Sequence, residues 1–249
     1  MAAMLQDKVA LVTGATGGIG GQIVSRLAHE GASVVVGYNH SRQAAEALVS
    51  SLAPRDHLVA KASVTESDCL ARLAGQIEKR FGRLDILVNC AGITRFVQHS
   101  DLDGLDDALI DRILSVNVRG VIAATRAMRP LLDRAASGVI VNISSIAGVT
   151  AMGSNIAYCA SKAAVDNLTK SLARALAPKI RVVSVSPGVV DTDFIKGRDE
   201  SWRDEQVNRT PLGRLGTPDD VAEAVLAVAT HLRFATGVII PVDGGRPLA

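Results

Sequence analysis

The sequence predicts an α/β protein built on a parallel sheet with helices on both faces. Short β-branched runs alternate with Ala- and Leu-rich helical patterns from end to end. The runs are almost continuously apolar, as in Val34-Val35-Val36, which suits strands buried on both sides. A glycine-rich turn joins the first strand directly to the first helix.

The strand-like runs are Val9–Val12, Ser33–Val36, Ile86–Val88, Val139–Ile143, Arg181–Val185 and Val238–Val242, with His57–Ala60 a weaker candidate. Helical patterns lie between them at Ile19–His29, Arg42–Leu52, Glu66–Arg80, Leu105–Leu132, Ala157–Ala177 and Pro218–Ala229. Asp191 to Pro218 is the least regular stretch and holds the only tryptophan, Trp202. Long irregular segments in compact domains often serve as lids or binding loops. Phe194, Ile195 and Trp202 suit either an apolar pocket wall or a contact with a neighbouring subunit. The acidic run Asp101–Asp107 lacks the ligand alternation and closing glutamate of a calcium loop and reads as a helix start.

Composition narrows the function classes. The chain has 249 residues, of which 48% are hydrophobic and 21% charged, which suits a compact aliphatic core and one domain spanning residues 1–249. Lys plus Arg number 27 against 25 Asp plus Glu, so the net charge of +2 offers no footprint for nucleic acid or an anionic membrane. No apolar run approaches the roughly 18 residues of a spanning helix. Cys69, Cys90 and Cys159 stand alone, which argues against a disulfide framework or zinc site and fits the reducing cytoplasm. Met1–Lys8 has no signal-peptide pattern. The positive mean hydropathy, +0.25, leaves apolar surface available for subunit contacts.

Three local patterns point to chemistry. Thr13-Gly14-Ala15-Thr16-Gly17-Gly18-Ile19-Gly20 links strand to helix, where glycines permit a tight turn and let a pyrophosphate reach the helix N-terminus. After the second strand, where a carboxylate would bind an NAD ribose, the sequence reads Tyr38-Asn39-His40-Ser41-Arg42. The missing acid permits a 2′-phosphate, with Ser41 or Arg42 as partner, so NADP(H) is favoured and NAD(H) remains open; Arg42 equally suits the exposed start of a helix. Tyr158 and Lys162 sit four apart on a helix and share a face, so the ammonium should lower the phenol pKa and make Tyr158 a general acid/base. Ser145 follows the strand Val139–Ile143, where parallel-sheet enzymes place their sites, and can hydrogen-bond a substrate carbonyl. Asn89-Cys90-Ala91-Gly92 follows the fourth strand in the same way. Asn117 falls inside a helical pattern, where an amide is usually a surface or cap residue.

These motifs, with Pro187-Gly188, Arg214-Leu215-Gly216-x-Pro218 and Val242-Asp243-Gly244-Gly245, stand in an order that resembles the short-chain dehydrogenase/reductase family over essentially the whole chain. Within it the chain is most similar to 3-oxoacyl-[acyl-carrier-protein] reductases. The resemblance implies a Rossmann-type, doubly wound, seven-stranded parallel sheet, usually assembled as a homotetramer, with residues 191–218 as substrate lid. It implies a catalytic tetrad of Asn117, Ser145, Tyr158 and Lys162. Gly14, Thr16, Gly17, Gly18, Ile19 and Gly20 would hold the pyrophosphate, and Tyr38, Asn39, Ser41 and Arg42 the 2′ end. Ser63 and Val64 would meet the adenine, and Asn89, Ala91 and Gly92 the adenosine side. Pro187, Gly188, Val190 and Thr192 would hold the carboxamide, and Lys162 the ribose. No metal is implied.

Several positions depart from the pattern. Gly17 stands where many NADP-specific relatives carry a basic residue. Ser63 replaces the adenine-binding Asp, and Cys90, read as a packing residue, replaces a second Asn. Arg134 and Lys179 are the basic candidates where a carrier protein would dock. The implied reaction is reduction of a carbonyl, a 3-oxoacyl thioester or similar ketone, to an alcohol. The alternatives are a sugar, polyol or secondary-alcohol dehydrogenase and a non-catalytic dinucleotide sensor.

Overall fold

Strand β1 (Val9–Thr13) shows why the sheet is buried on both sides: all five residues are buried, and successive side chains point to opposite faces. Ala10 and Val12 join one apolar cluster, while Val9 and Leu11 join the other. The structure, a computed structural model, describes residues 3–192 and 199–248. The remaining strands are β2 (Ser33–Tyr38), β3 (Leu58–Lys61), β4 (Ile86–Asn89), β5 (Gly138–Ile143), β6 (Ile180–Pro187) and β7 (Ile239–Val242). They form one seven-stranded parallel sheet in the order β3-β2-β1-β4-β5-β6-β7, the doubly wound Rossmann-type arrangement expected. The order reverses between β1 and β4, which opens a crevice at their carboxyl ends. Register sets Thr13 beside Asn89 and Asn89 beside Asn142, so the strands bordering this crevice end level.

Helices α1 (Gly18–His29), α2 (Arg42–Ser51) and α9 (Pro218–Thr230) cover one face. Ile23, Val24 and Leu27 of α1 pack with Val221, Val225 and Leu226 of α9 there. Helix α3 (Ser67–Phe81) covers the other face, with Leu70, Leu73 and Ile77 against Leu11, Leu87 and Ile140. Burying one such aliphatic side chain stabilises the fold by roughly 1.5–3 kcal/mol. The short α6 (Ala147–Thr150) and the 21-residue α7 (Ile156–Leu176) follow β5.

Most strand boundaries fall within one or two residues of expectation, but three readings need correction. His57 lies outside β3; its Nδ1 accepts a bond from the Val34 N–H at 3.1 Å instead. The pattern Leu105–Leu132 is not one helix. It divides into α4 (Asp107–Leu114), a π-helical turn (Ser115–Arg119) and α5 (Gly120–Leu132). Apolar periodicity runs straight through the π turn, so the extra residue leaves no signature in it. The segment 191–218 is not irregular throughout, because Glu200–Asn208 forms α8, capped by the Asp199 side chain accepting from the Trp202 N–H at 2.8 Å. Phe194 and Ile195 lie outside the described residues. Asp106, from the acidic run, caps α4 by accepting from the Leu109 N–H at 2.7 Å, the helix-start role expected.

Candidate active site

Two loops at the carboxyl ends of β1 and β4 are joined by one hydroxyl. Thr13 Oγ1 accepts from the backbone N–H groups of Cys90 and Ala91, both at 3.2 Å, and donates to the Val88 carbonyl at 3.3 Å. Gly14 then turns with φ +66°, and a Cβ there would meet Ala91 Cα at 2.8 Å. The requirement for glycine at Gly20 is also steric: a Cβ would lie 2.3 Å from the Gly14 carbonyl oxygen. Gly18 faces the end of β6, since a Cβ on it would meet Thr192 Cγ2 at 3.0 Å. The structure therefore brings Gly14, Gly18, Gly20, Ala91 and Thr192 to one place from three separate segments.

The residues of this turn fit a dinucleotide. Helix α1 begins at Gly17 with no side-chain cap and no acid in its first turn, and Thr16, Gly17 and Gly18 are exposed. The positive end of the helix and its first N–H groups are left for an anion. At the end of β2, Tyr38 is half-buried, and Ser41 stands at the N-cap of α2 without a side-chain capping bond. Asn39 Nδ2 lies 2.9 Å from His40 Nε2. Arg42 points along its own helix, with Nε 2.8 Å from Glu46 Oε1 and its side chain 70% exposed. That is the helix-start alternative read from the sequence. Ser63 and Val64 are buried beyond β3, with Ser63 Oγ 3.4 Å from Thr65 Oγ1.

Around β5 and α7 the four tetrad positions converge. A hydrogen bond with the Ser145 hydroxyl reaches the Tyr158 phenol, and Lys162 Nζ lies 5.6 Å from the Tyr158 ring centroid. Lys162 Nζ donates to the Ile143 carbonyl at 2.8 Å. Asn117, 1% exposed, is neither a surface nor a cap residue. Its Oδ1 accepts from the Ile93 N–H at 2.9 Å, and its Nδ2 donates to the Ile93 carbonyl at 3.0 Å and Ser161 Oγ at 3.1 Å. A Cβ on Gly92 would sit 3.6 Å from Asn117 Oδ1 and 3.8 Å from Lys162 Nζ, which places Gly92 between them.

Electrostatics correct the expected direction at Tyr158. Burial pushes the phenol up to about 12, against a smaller opposing pull from the Ser145 hydrogen bond. Burial likewise pulls Lys162 down to about 8, although Cys90 and Asp166 act to raise it. Desolvation is the largest cause at both groups in this pocket. Cys90 is a packing residue against the core, and burial pushes its thiol up to about 11, which leaves it unreactive at neutral pH.

Other expected positions divide. Asn89 is buried at the end of β4: Nδ2 donates to Asn142 Oδ1 at 2.9 Å, its Oδ1 is buried with no hydrogen-bond partner, and Asn142 Nδ2 passes the chain on to Thr169 Oγ1 at 2.9 Å. Pro187 and Gly188 close β6, with the Gly188 N–H on the Val242 carbonyl at 3.0 Å. Val190 is buried and bridges to Gly216. Arg134 pairs with Glu78 at 2.6 Å, so its charge is partly satisfied within the chain. Sequence reading passed over Asn155. It accepts from the Tyr158 N–H at 2.7 Å and donates to the Arg95 carbonyl at 2.7 Å, starting α7 so that Tyr158 falls in its first turn. An asparagine three residues before Tyr158 is a capping signature that could have found it. Among the described residues no group of three or more His, Cys, Asp or Glu could hold a metal ion, and no helix is long and apolar enough to cross a membrane.

Comparisons with known proteins agree with this geometry. A family model described as enoyl-(acyl carrier protein) reductase matches residues 14–246. The chain is 39% identical over 242 residues, covering 96% of both chains, to ketoacyl reductase 2 of the granaticin polyketide synthase from Streptomyces violaceoruber. It is 35% identical to the 3-oxoacyl-[acyl-carrier-protein] reductase FabG of Thermotoga maritima, covering 97% of this chain and 98% of that one. A solved structure from Brucella melitensis, titled short-chain dehydrogenase/reductase, glucose/ribitol dehydrogenase, superposes with a TM-score of 0.89 at 31% identity and covers 99% of each chain.

Proposed function

This chain belongs to the short-chain dehydrogenase/reductase family of nicotinamide-dependent oxidoreductases acting on CH–OH and C=O groups, and from that premise we propose that it reduces a 3-oxoacyl thioester or similar ketone with NADPH. The observation that carries this reading is the Ser145–Tyr158–Lys162 arrangement beside the crevice of the sheet. When bound, the nicotinamide cofactor supplies the hydride. Ser145 orients the substrate carbonyl by donating its hydroxyl hydrogen bond to the oxygen. Tyr158, whose phenol stays protonated through the neutral range, gives its proton to that oxygen as negative charge develops there. Lys162 holds the ribose and keeps positive charge near the phenolate left behind. Asn117 fixes the backbone at Ile93 and thereby the Gly92 turn next to Lys162.

The uncapped starts of α1 and α2, the latter with no acid in its first turn, support a phosphate-bearing cofactor, with Ser41 and Arg42 receiving the 2′-phosphate. Exposed Leu114 and Ile122 near the π turn, with Phe234 and Val238 next to β7, support assembly as a homotetramer. Three free cysteines suit the cytoplasm. A second reading, an NAD-using polyol or secondary-alcohol dehydrogenase, is favoured by one observation: Arg42 is already engaged by Glu46.

NADPH oxidation with a 3-oxoacyl thioester, run beside NADH, separates the two. Faster turnover with NADPH, lost about 10²–10⁴-fold in Tyr158→Phe with cofactor affinity unchanged, is expected. Equal or better turnover with NADH overturns the NADP reading, and full activity of Tyr158→Phe overturns the mechanism.

A further inference from the structure

Asp166 is a buried carboxylate that the reaction above does not use. It lies one helical turn beyond Lys162 on the same face of α7, and it is 8% exposed. Its Oδ1 accepts from Ser184 Oγ of β6 at 3.3 Å, and its Oδ2 is buried with no hydrogen-bond partner. Above it, Gly148 of α6 leaves the room the carboxylate occupies: a Cβ there would stand 3.1 Å from Oδ2. Ser144, at the end of β5, contributes a hydroxyl, and its Oγ also meets the Lys162 carbonyl at 3.3 Å. Neutral hydroxyls and one glycine do not compensate a buried anion.

The compensating charges are cationic and lie on α7 itself. Lys162 and Lys170 both act on Asp166 electrostatically, and of these only Lys162 is buried, at 7% exposed. Lys162 is in turn a buried cation with one hydrogen-bond acceptor, the Ile143 carbonyl. The titratable groups acting on it are Cys90, from the loop after β4, and Asp166; the Tyr158 ring lies beside it. The Cys90 thiol is neutral at physiological pH. Burial pushes the Asp166 carboxyl above the usual carboxylate range, against opposing pulls from Ser144, Ser184, Lys162 and Lys170, and when ionised it is the one anion of the two groups acting on Lys162. No contact within 4 Å joins the two side chains, so this is a field across one helical turn rather than an ion-pair bond.

We propose that Asp166 is the counter-ion that keeps the Lys162 ammonium charged inside the protein, a positioning residue acting on the reaction only through Lys162. The inference rests on the reading of Lys162 given above. A unit charge about 6 Å away in a protein interior moves a neighbouring titration by roughly one to two units.

The test follows the Lys162 side-chain NMR signal through a pH titration of the protein without cofactor, in wild type and in Asp166→Asn. The variant keeps the shape of the carboxylate and an acceptor for Ser184. The expected result is a Lys162 midpoint lower by about one unit or more in the variant. Ser184→Ala, which disturbs the same packing without removing charge, should leave the midpoint in place. An unchanged midpoint in Asp166→Asn, or an equal shift in Ser184→Ala, overturns the proposal. Should Asp166→Asn fail to fold, the wild-type carboxyl carbon signal of Asp166 decides alone: a protonated carboxyl between pH 7 and 8 overturns it, and a charged one supports it. The alkaline limb of kcat/KM for ketone reduction should shift with the midpoint. A moved midpoint with an unmoved limb upholds the counter-ion and refutes the role given to Lys162.

Discussion

Replacing Asn117 with alanine tests whether a single amide holds the π turn and the loop after β4 together. The wild-type side chain meets the Ile93 N–H at 2.9 Å, the Ile93 carbonyl at 3.0 Å and Ser161 Oγ at 3.1 Å. Ser161 keeps a partner without it, because its hydroxyl donates to the Tyr158 carbonyl at 2.7 Å. The Ile93 groups do not: truncation strands one donor and one acceptor. Each stranded buried group costs about 1–3 kcal/mol. Ile93 is only half-buried, so water recovers part of this, and the lower half of the range applies. The expected loss is about 2–4 kcal/mol, or a Tm lower by roughly 4–8 °C for a chain of this size. Thermal unfolding followed by circular dichroism, with a chemical-denaturation check on the slope, measures it. The companion Asn117→Asp keeps the acceptor for the Ile93 N–H but turns an anion toward the Ile93 carbonyl. It should lose at least as much at pH 7 and recover as pH falls and the new carboxyl protonates. A Tm within 2 °C of wild type for both variants refutes the claim that this amide carries the loop.

Two further expectations concern pH and capping. Burial holds Lys162 at about 8 in the fold against 10.5 in the open chain, so between these values the unfolded chain binds more protons and stability rises with pH. Cys90, raised from 9.0 to about 11, and Tyr158, raised from 10.0 to about 12, act in the opposite sense, because the fold keeps protons the open chain loses. Urea midpoints should therefore climb from pH 8 to 9, with a slope of at most about 1.4 kcal/mol per unit, and turn downward above about pH 10; a flat or falling profile from 8 to 9 contradicts the burial of Lys162. In α9, Asp220 completes a capping box with Thr217 and receives both Arg214 nitrogens, at 2.6 and 2.7 Å. The Arg214 guanidinium, ahead of the Thr217 bonds, holds this carboxyl well below the usual carboxylate range. Asp220→Ala should cost about 1 kcal/mol at pH 7 and make the acid-side loss of stability below pH 4 shallower than in wild type, as read by Tm across pH 2–7.

The order of elements, the parallel sheet and the glycine turn were legible from local patterns. A strand buried on both faces must be apolar throughout, and a strand-to-helix turn that passes under Ala91 must be glycine at Gly14. The pairing of Tyr158 with Lys162 was likewise written in helical spacing. Tertiary structure decided what spacing cannot carry. Asn117 looked like a surface amide until the π turn and the loop after β4 closed around it, because burial depends on what packs from 24 residues away. The Tyr158 titration moved opposite to the expected direction because desolvation is a property of the enclosing pocket, not of the four-residue interval to Lys162. Local sequence determined which groups face one another, and only the packed fold determined how much water they keep, which sets their charge.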